Sequence, residues 1–243
     1  MIAKFDLYDF IANLIPGLTF LWCVQILAGL VGWRLPLGLA GGLAETLVLI
    51  AIGYVSGLLL QGFSQYVIQS LLLRLWDGFP SERWLLPDDT HFSTGYKHRL
   101  LELIKERFQI PTEPEIPRNC QANCKLQLRL KKNRELFYLC YNYVSETSHR
   151  PVIFNTHYGL FRSLLGMFSL LSLASLSGLV RALIVQPSQV VPFGVWTFLF
   201  VIAAWIAYAR CKKRSEDFAQ SVYDLFITTT TSMSNTKKAN ANT

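Results

Sequence analysis

The chain has 243 residues, of which 51% are hydrophobic, 13% aromatic and only 16% charged, with a mean hydropathy of +0.30. Soluble domains carry roughly 25% charged residues, so an ordinary soluble protein is excluded and a membrane protein is the leading class. A net charge of +7 raises nucleic-acid binding as a second possibility, to be judged by where the charges fall.

The chain opens MIAKFDLYDFIANLIPG. Read as an interfacial amphipathic helix over 1–14, it sets Asp6, Asp9 and Asn13 on one polar stripe, with Phe5, Tyr8, Phe10, Ile11 and Leu14 around the rest. Pro16 and Gly17 are expected to turn that helix into the first span, leaving both acids outside the bilayer. Carboxylates repel anionic lipid, and Arg74 or the cluster Arg210, Lys212, Lys213 and Arg214 are the nearest cations to offset them. A solvated lead-in without a special partner is the plainer alternative. One lysine and two acids stand where a signal peptide has a basic n-region, and no small-residue cleavage site follows, so the first apolar run reads as a retained span.

About 20 apolar residues in a helix cross a hydrocarbon core of about 30 Å, and four runs reach or approach that length. The first, over 15–33, has Gln25 as its only strongly polar side chain, and Trp22 and Trp33 suit interface depth. The second, over 46–70, lies in a stretch uncharged from Thr46 to Leu73, so its Gln-bearing half is expected to leave the bilayer or line protein. Gly53, Gly57, Gln61, Ser64 and Gln65 share about a third of the helix circumference, and Gln69 continues the polar series. Small residues let helices approach closely and amides bond across them. That face serves either packing within the chain or a subunit interface or pore lining.

Residues 74–162 are the one candidate module outside the bilayer. FSTGYKHRLLELIKERFQ reads as an amphipathic helix, with Tyr96, Leu100, Leu103, Ile104 and Phe108 on one face and Ser93 or Thr94 as cap. Pro111, Pro114 and Pro117 make the following segment extended. ANCKLQLRLKKNRELFYLCYNYV suits a second helix, although the alternation of Leu126, Leu128 and Leu130 equally suits a short strand. Two helices bury little, so the module is expected to lean on the bilayer, the second helix or another copy.

The third span, over 164–185, carries Arg181 near its far end, within reach of headgroups. Ser163, Gly166, Ser169, Ser172, Ser175 and Gly178 recur every third residue and wind round the helix, the pattern of a helix with two neighbours. The fourth span, over 193–209, follows the turn signal QPSQVVP and is closed by the Arg210 to Arg214 cluster. The chain thus divides into hairpins over 15–73 and 163–210, then a helix over 211–228 whose Phe218, Val222 and Leu225 or Phe226 suit a partner helix. The tail 229–243 has nothing to bury and is expected to be disordered. The fold class is all-α, a polytopic membrane protein with four transmembrane helices and a small cytoplasmic helical module.

Orientation follows from charge. With both termini and the middle segment in the cytoplasm, 21 of the 23 Lys and Arg residues fall on one side. The middle segment holds 14 basic and 10 acidic residues, so positive-inside bias and lipid attraction account for the net charge without nucleic acid. Cys23, Cys120, Cys124, Cys140 and Cys211 lie in spans or on the cytoplasmic side, where thiols stay reduced, and no disulfide is expected.

Chemistry has little support. Cys120 and Cys124, with His91, His98 or Cys140, make the best metal set, but the spacing is weak for zinc and free thiols are the plainer reading. Asp88, Asp89 and His91 have the types for acid and base work, yet a solvated loop explains them equally. No P-loop, dinucleotide fingerprint, nucleophile elbow or HExxH occurs, so no catalytic residue and no cofactor is implied. No acid or lysine lies inside a span, against a proton-coupled transporter.

Tyr8 and Asp9 ahead of Pro16 and Gly17, with HRLLELIKERFQI, YLCYNYV and FRSLL further on, resemble small four-span bacterial inner-membrane proteins of unassigned function, some found near anti-phage defence genes. The resemblance implies an inner-membrane location and supplies no catalytic residues. The function expected is an oligomeric membrane effector or channel-like assembly, homo-oligomeric and controlled through its cytoplasmic module. The alternative is a non-conducting anchor or scaffold that recruits a cytosolic partner.

Overall fold

Apolar sequence in lipid must satisfy its backbone polar groups within its own segment, and every regular element among the described residues is helical. The computed structural model describes residues 7–33, 42–76, 78–117 and 120–241, apart from the side chains of 7–9, 11 and 233–241. The helices are α1 (Leu7–Leu30), α2 (Leu43–Phe63), a π turn (Ser64–Ile68), α3 (Gln69–Leu75), α4 (Pro80–Arg83), α5 (Thr94–Phe108), α6 (Ala122–Ser145), α7 (Arg150–Val185) and α8 (Val190–Ala241). Four stretches are long and apolar enough to cross a membrane: Ala12–Leu30, Leu43–Leu75, Arg150–Val185 and Pro187–Ser232. The protein is a multi-pass, all-α membrane protein.

Two compact units divide the chain, one over Met1–Leu71 and Thr156–Lys213, the other over Leu72–Asn155 and Arg214–Thr243. In the first, glycines set the helix spacing. A Cβ on Gly17 would overlap the carbonyl oxygen of Gly53, and one on Gly57 would overlap that of Asn13, so α1 and α2 touch backbone to backbone. Helix α7 has a neighbour on each of two sides. Gly166 faces Ser64 and Ile68, while Gly178 faces the Phe193 ring and Ser175 Oγ accepts a 3.1 Å hydrogen bond from Thr197 Oγ1 of α8. Cys23, Leu60, Met167, Leu171 and Phe200 fill the middle. The outside is apolar, with Trp33 72%, Leu59 70% and Trp205 71% exposed, a surface that invites aggregation in water and suits lipid. Several span hydroxyls bond back to their own helix, as Ser169 Oγ does to the Leu165 carbonyl at 2.8 Å and Ser172 Oγ to the Phe168 carbonyl at 2.7 Å.

The second unit has its own core. Leu100, Leu103 and Ile104 of α5, Leu136, Phe137, Cys140 and Val144 of α6, and Ala219, Val222, Tyr223 and Phe226 of α8 are all buried together with Trp84 and Leu85. Ser93 Oγ caps α5 by accepting from the Tyr96 amide. Two phenols tie α8 down: Tyr223 donates to the Ser81 carbonyl at 2.6 Å and Tyr96 to Asp224 Oδ1 at 2.7 Å. Burial, with Asp224 second, holds the Tyr96 phenol protonated by pushing its pKa well above the usual value.

Four expectations change, and the choice between helix and strand at Leu126, Leu128 and Leu130 is decided. Pro16 does not turn the chain: it lies inside α1, fully buried, because the close contact with α2 offsets the lost hydrogen bond. Leu126, Leu128 and Leu130 are helical, within α6. The module is not confined to 74–162, since the segment from Arg214 onward belongs to its unit and its apolar side finds its partner helices in the same chain. The tail is helical to Ala241, an extension that needs no new nucleus once the long helix is anchored. Cys120 and Cys124 are joined as a disulfide with their Cα atoms 5.7 Å apart, against the expectation of none: positions four apart around the start of a helix lie on one side.

Gly57→Ala is expected to lower stability in detergent by about 1–3 kcal/mol, the usual range for overpacking, while Gly62→Ala, with open space around it, should leave the melting temperature unchanged or higher. Thermal melts of the two variants check this.

Candidate functional site

A carboxylate out of water needs a partner, and Glu82, in the single turn of α4, is only 3% exposed. Its partner comes from α6. Arg134 forms a two-pronged ion pair, Nε to Oε1 at 2.7 Å and Nη2 to Oε2 at 3.1 Å. The adjacent Asn133 Nδ2 donates to the Glu82 backbone carbonyl at 2.7 Å. The hydrogen bond to Glu82 raises the Arg134 pKa still further. Gly78, at φ 111°, makes the reversal between α3 and α4 that brings Glu82 to this place, a conformation that L side chains rarely adopt.

Beside this ion pair lies an open cavity of about 690 Å³ whose walls include Leu73, Arg74, Gly78, Leu126, Leu130 and Lys131. Arg74 and Lys131 are exposed, and no acid among the described residues pairs with either. Cys124 also lines the cavity, which sets the disulfide at its edge.

The other chemistry-bearing residues hold structure. Asp89 Oδ1 accepts the His91 amide at 2.8 Å, and its carbonyl and that of Leu86 accept Lys97 Nζ at 2.5 and 2.6 Å. Arg83 stands 3.5 Å from Asp89 Oδ2. The His91 ring stacks on Trp84 with centroids 3.6 Å apart, away from the bridged Cys120 and Cys124, so the metal set predicted from sequence is not brought together. Asp88, Asp89 and His91 form a loop clamped by Lys97, and the described residues hold no cluster of metal-ligating side chains.

In the first unit, Gly53 and Gly57 are taken up by α1, and Ser64 is fully buried against Gly166. Gln69 Oε1 accepts from Arg162 Nη1 at 2.5 Å. Gln61 is half-buried, and Gln65 is exposed. The 33-residue candidate span Leu43–Leu75 rises about 50 Å, more than the hydrocarbon thickness, and the three glutamines lie in its second half. Of the interfacial charges, Arg214 pairs with Asp217 at 3.3 Å and Arg210, Lys212 and Lys213 are exposed. Asp6 and the Asp9 side chain lie outside the described residues, and with them the pairing expected of those acids.

Sequence reasoning missed Glu82 with Arg134, and Lys97. Neither had a local signal, because Glu82 and Arg134 are 52 positions apart. No protein-family model, curated protein or solved structure matches the chain. Fold and site therefore define the class alone: a four-span helical membrane protein with a separate, internally packed helical unit.

Arg134→Met strands the Glu82 carboxylate and is expected to destabilise the second unit by about 2 kcal/mol. The double variant Glu82→Met with Arg134→Met should be more stable than that single variant, since it leaves no buried carboxylate without a partner. Thermal unfolding of the three proteins is the check.

Proposed function

We propose that the protein is a non-conducting anchor or scaffold of a bacterial inner membrane, with both termini and the helical unit in the cytoplasm, where that unit recruits a cytosolic partner. One observation carries the reading: the small residues that a pore or subunit interface would use are occupied within the same chain, Gly53 and Gly57 of α2 by α1, and Ser64 of the π turn by α7. Gln69, another candidate for a pore lining, already bonds Arg162. The second unit fills its own core and so is built as a domain with free outer surface. The orientation rests on the distribution of Lys and Arg and is opposed by the Cys120–Cys124 disulfide, a bond that a reducing cytoplasm disfavours.

A second reading, the homo-oligomeric channel-like effector, is favoured by exposed Gln65, whose amide stands on the outside of a candidate span. An amide there gains from a second copy. Detergent-corrected mass by light scattering and ion flux in proteoliposomes separate the two. The anchor predicts a monomer or dimer, flux at the level of empty vesicles, and no effect of Gln61→Leu with Gln65→Leu. A defined oligomer of higher order whose flux changes in that variant would establish the channel instead.

A further inference from the structure

We propose that the cavity between α3 and α6 binds the headgroup of an anionic membrane phospholipid, with Arg74 and Lys131 holding the phosphate and Leu73, Leu126 and Leu130 receiving the start of the acyl chains. The charge is right for an anion. Arg134 and Glu82 neutralise one another in their two-pronged ion pair, so Arg74 and Lys131 remain on the wall as two cations that no acid among the described residues pairs with. Arg134 acts as a positioning residue, since its grip on Glu82 fixes α4 against α6 and keeps the wall in shape.

The lining also says what kind of phosphate fits. Leucines supply its apolar side chains, and it contains no aromatic ring on which a nucleobase could stack. A hydrated sugar phosphate gains nothing from leucine, whereas a phospholipid presents an anion and hydrocarbon together. At about 690 Å³ the cavity is far roomier than a lone phosphate needs.

Sequence points the same way. Arg74 is the penultimate residue of the second candidate span, Leu43–Leu75, and the first charge that stretch meets after Glu45. On the first half of α6, Lys125 and Arg129 are exposed and Leu126 is 44% exposed, a basic and partly apolar face of the kind that meets an anionic lipid surface.

The test is native mass spectrometry of the full-length protein from detergent, with phosphatidylglycerol or phosphatidylcholine added. The wild type should retain phosphatidylglycerol in clear preference. Arg74→Gln with Lys131→Gln should weaken that binding about thirtyfold, the charge-keeping pair Arg74→Lys with Lys131→Arg should retain it, and Arg99→Gln with Lys105→Gln, exposed on α5 and outside the cavity, should change it less than about threefold. If the double glutamine variant does not fold, Lys131→Gln alone, at an exposed position, should give about a fivefold loss. Equal retention of the two lipids, or equal loss from both glutamine pairs, overturns the proposal. Inorganic phosphate serves as a separate arm: stabilisation by millimolar phosphate equal to that by phosphatidylglycerol would assign the cavity to a soluble phosphate ligand and overturn the lipid.

Discussion

The membrane unit depends on the absence of side chains at three positions. Gly17, Gly53 and Gly57 let α1 and α2 meet backbone to backbone, and in lipid, where apolar side chains have no reason to leave their solvent, such contact is a main source of helix association. It also explains why Pro16 can sit inside α1 without breaking it. The same face cannot serve a second purpose. A helix surface engaged at the distance of direct backbone contact has no room for a pore or for another subunit, and on that point the anchor reading rests.

The second unit follows a different physics, that of a small domain packed around its own core. Its helices α5, α6 and α8 share a core of leucines and aromatic rings, in which Phe137 lies edge-on to both Phe218 and Tyr223. Polar groups fix what the apolar core leaves free. Glu82 with Arg134 ties α4 to α6, and Tyr223 with Ser81 ties α8 to α4. A buried carboxylate penalises any arrangement that takes its cation away, which suits a pair that shapes a cavity wall.

Hydropathy made the four spans legible, because about 20 residues without charge leave a helix few other places to go. The two-sided packing of α7 was readable from its row of small residues, which the structure divides between Ser64 and Phe193. Partnerships were harder. The apolar stripe of Phe218, Val222 and Phe226 announced a helix partner, but nothing local said that it would be α5 and α6 of the same chain. The π turn at Ser64–Ile68 and the bond between Gln69 and Arg162, 93 positions apart, depend on tertiary contact and leave no pattern in a single sequence. The paired Cys120 and Cys124 were visible as a spacing, and the compartment argument set them aside.

The central claim is that the glycine face of α2 is used up within one chain, and cysteine cross-linking tests it directly. A Cβ at Gly53 would lie 2.9 Å from Leu18 Cγ, so Leu18→Cys with Gly53→Cys, in a chain otherwise free of cysteine, brings two thiols together. Oxidation in native membranes should give an intramolecular bridge that runs as a monomer on a non-reducing gel. Dimers formed only when the two single variants are co-expressed would contradict the account, since α2 would then find its partner helix in a neighbouring molecule.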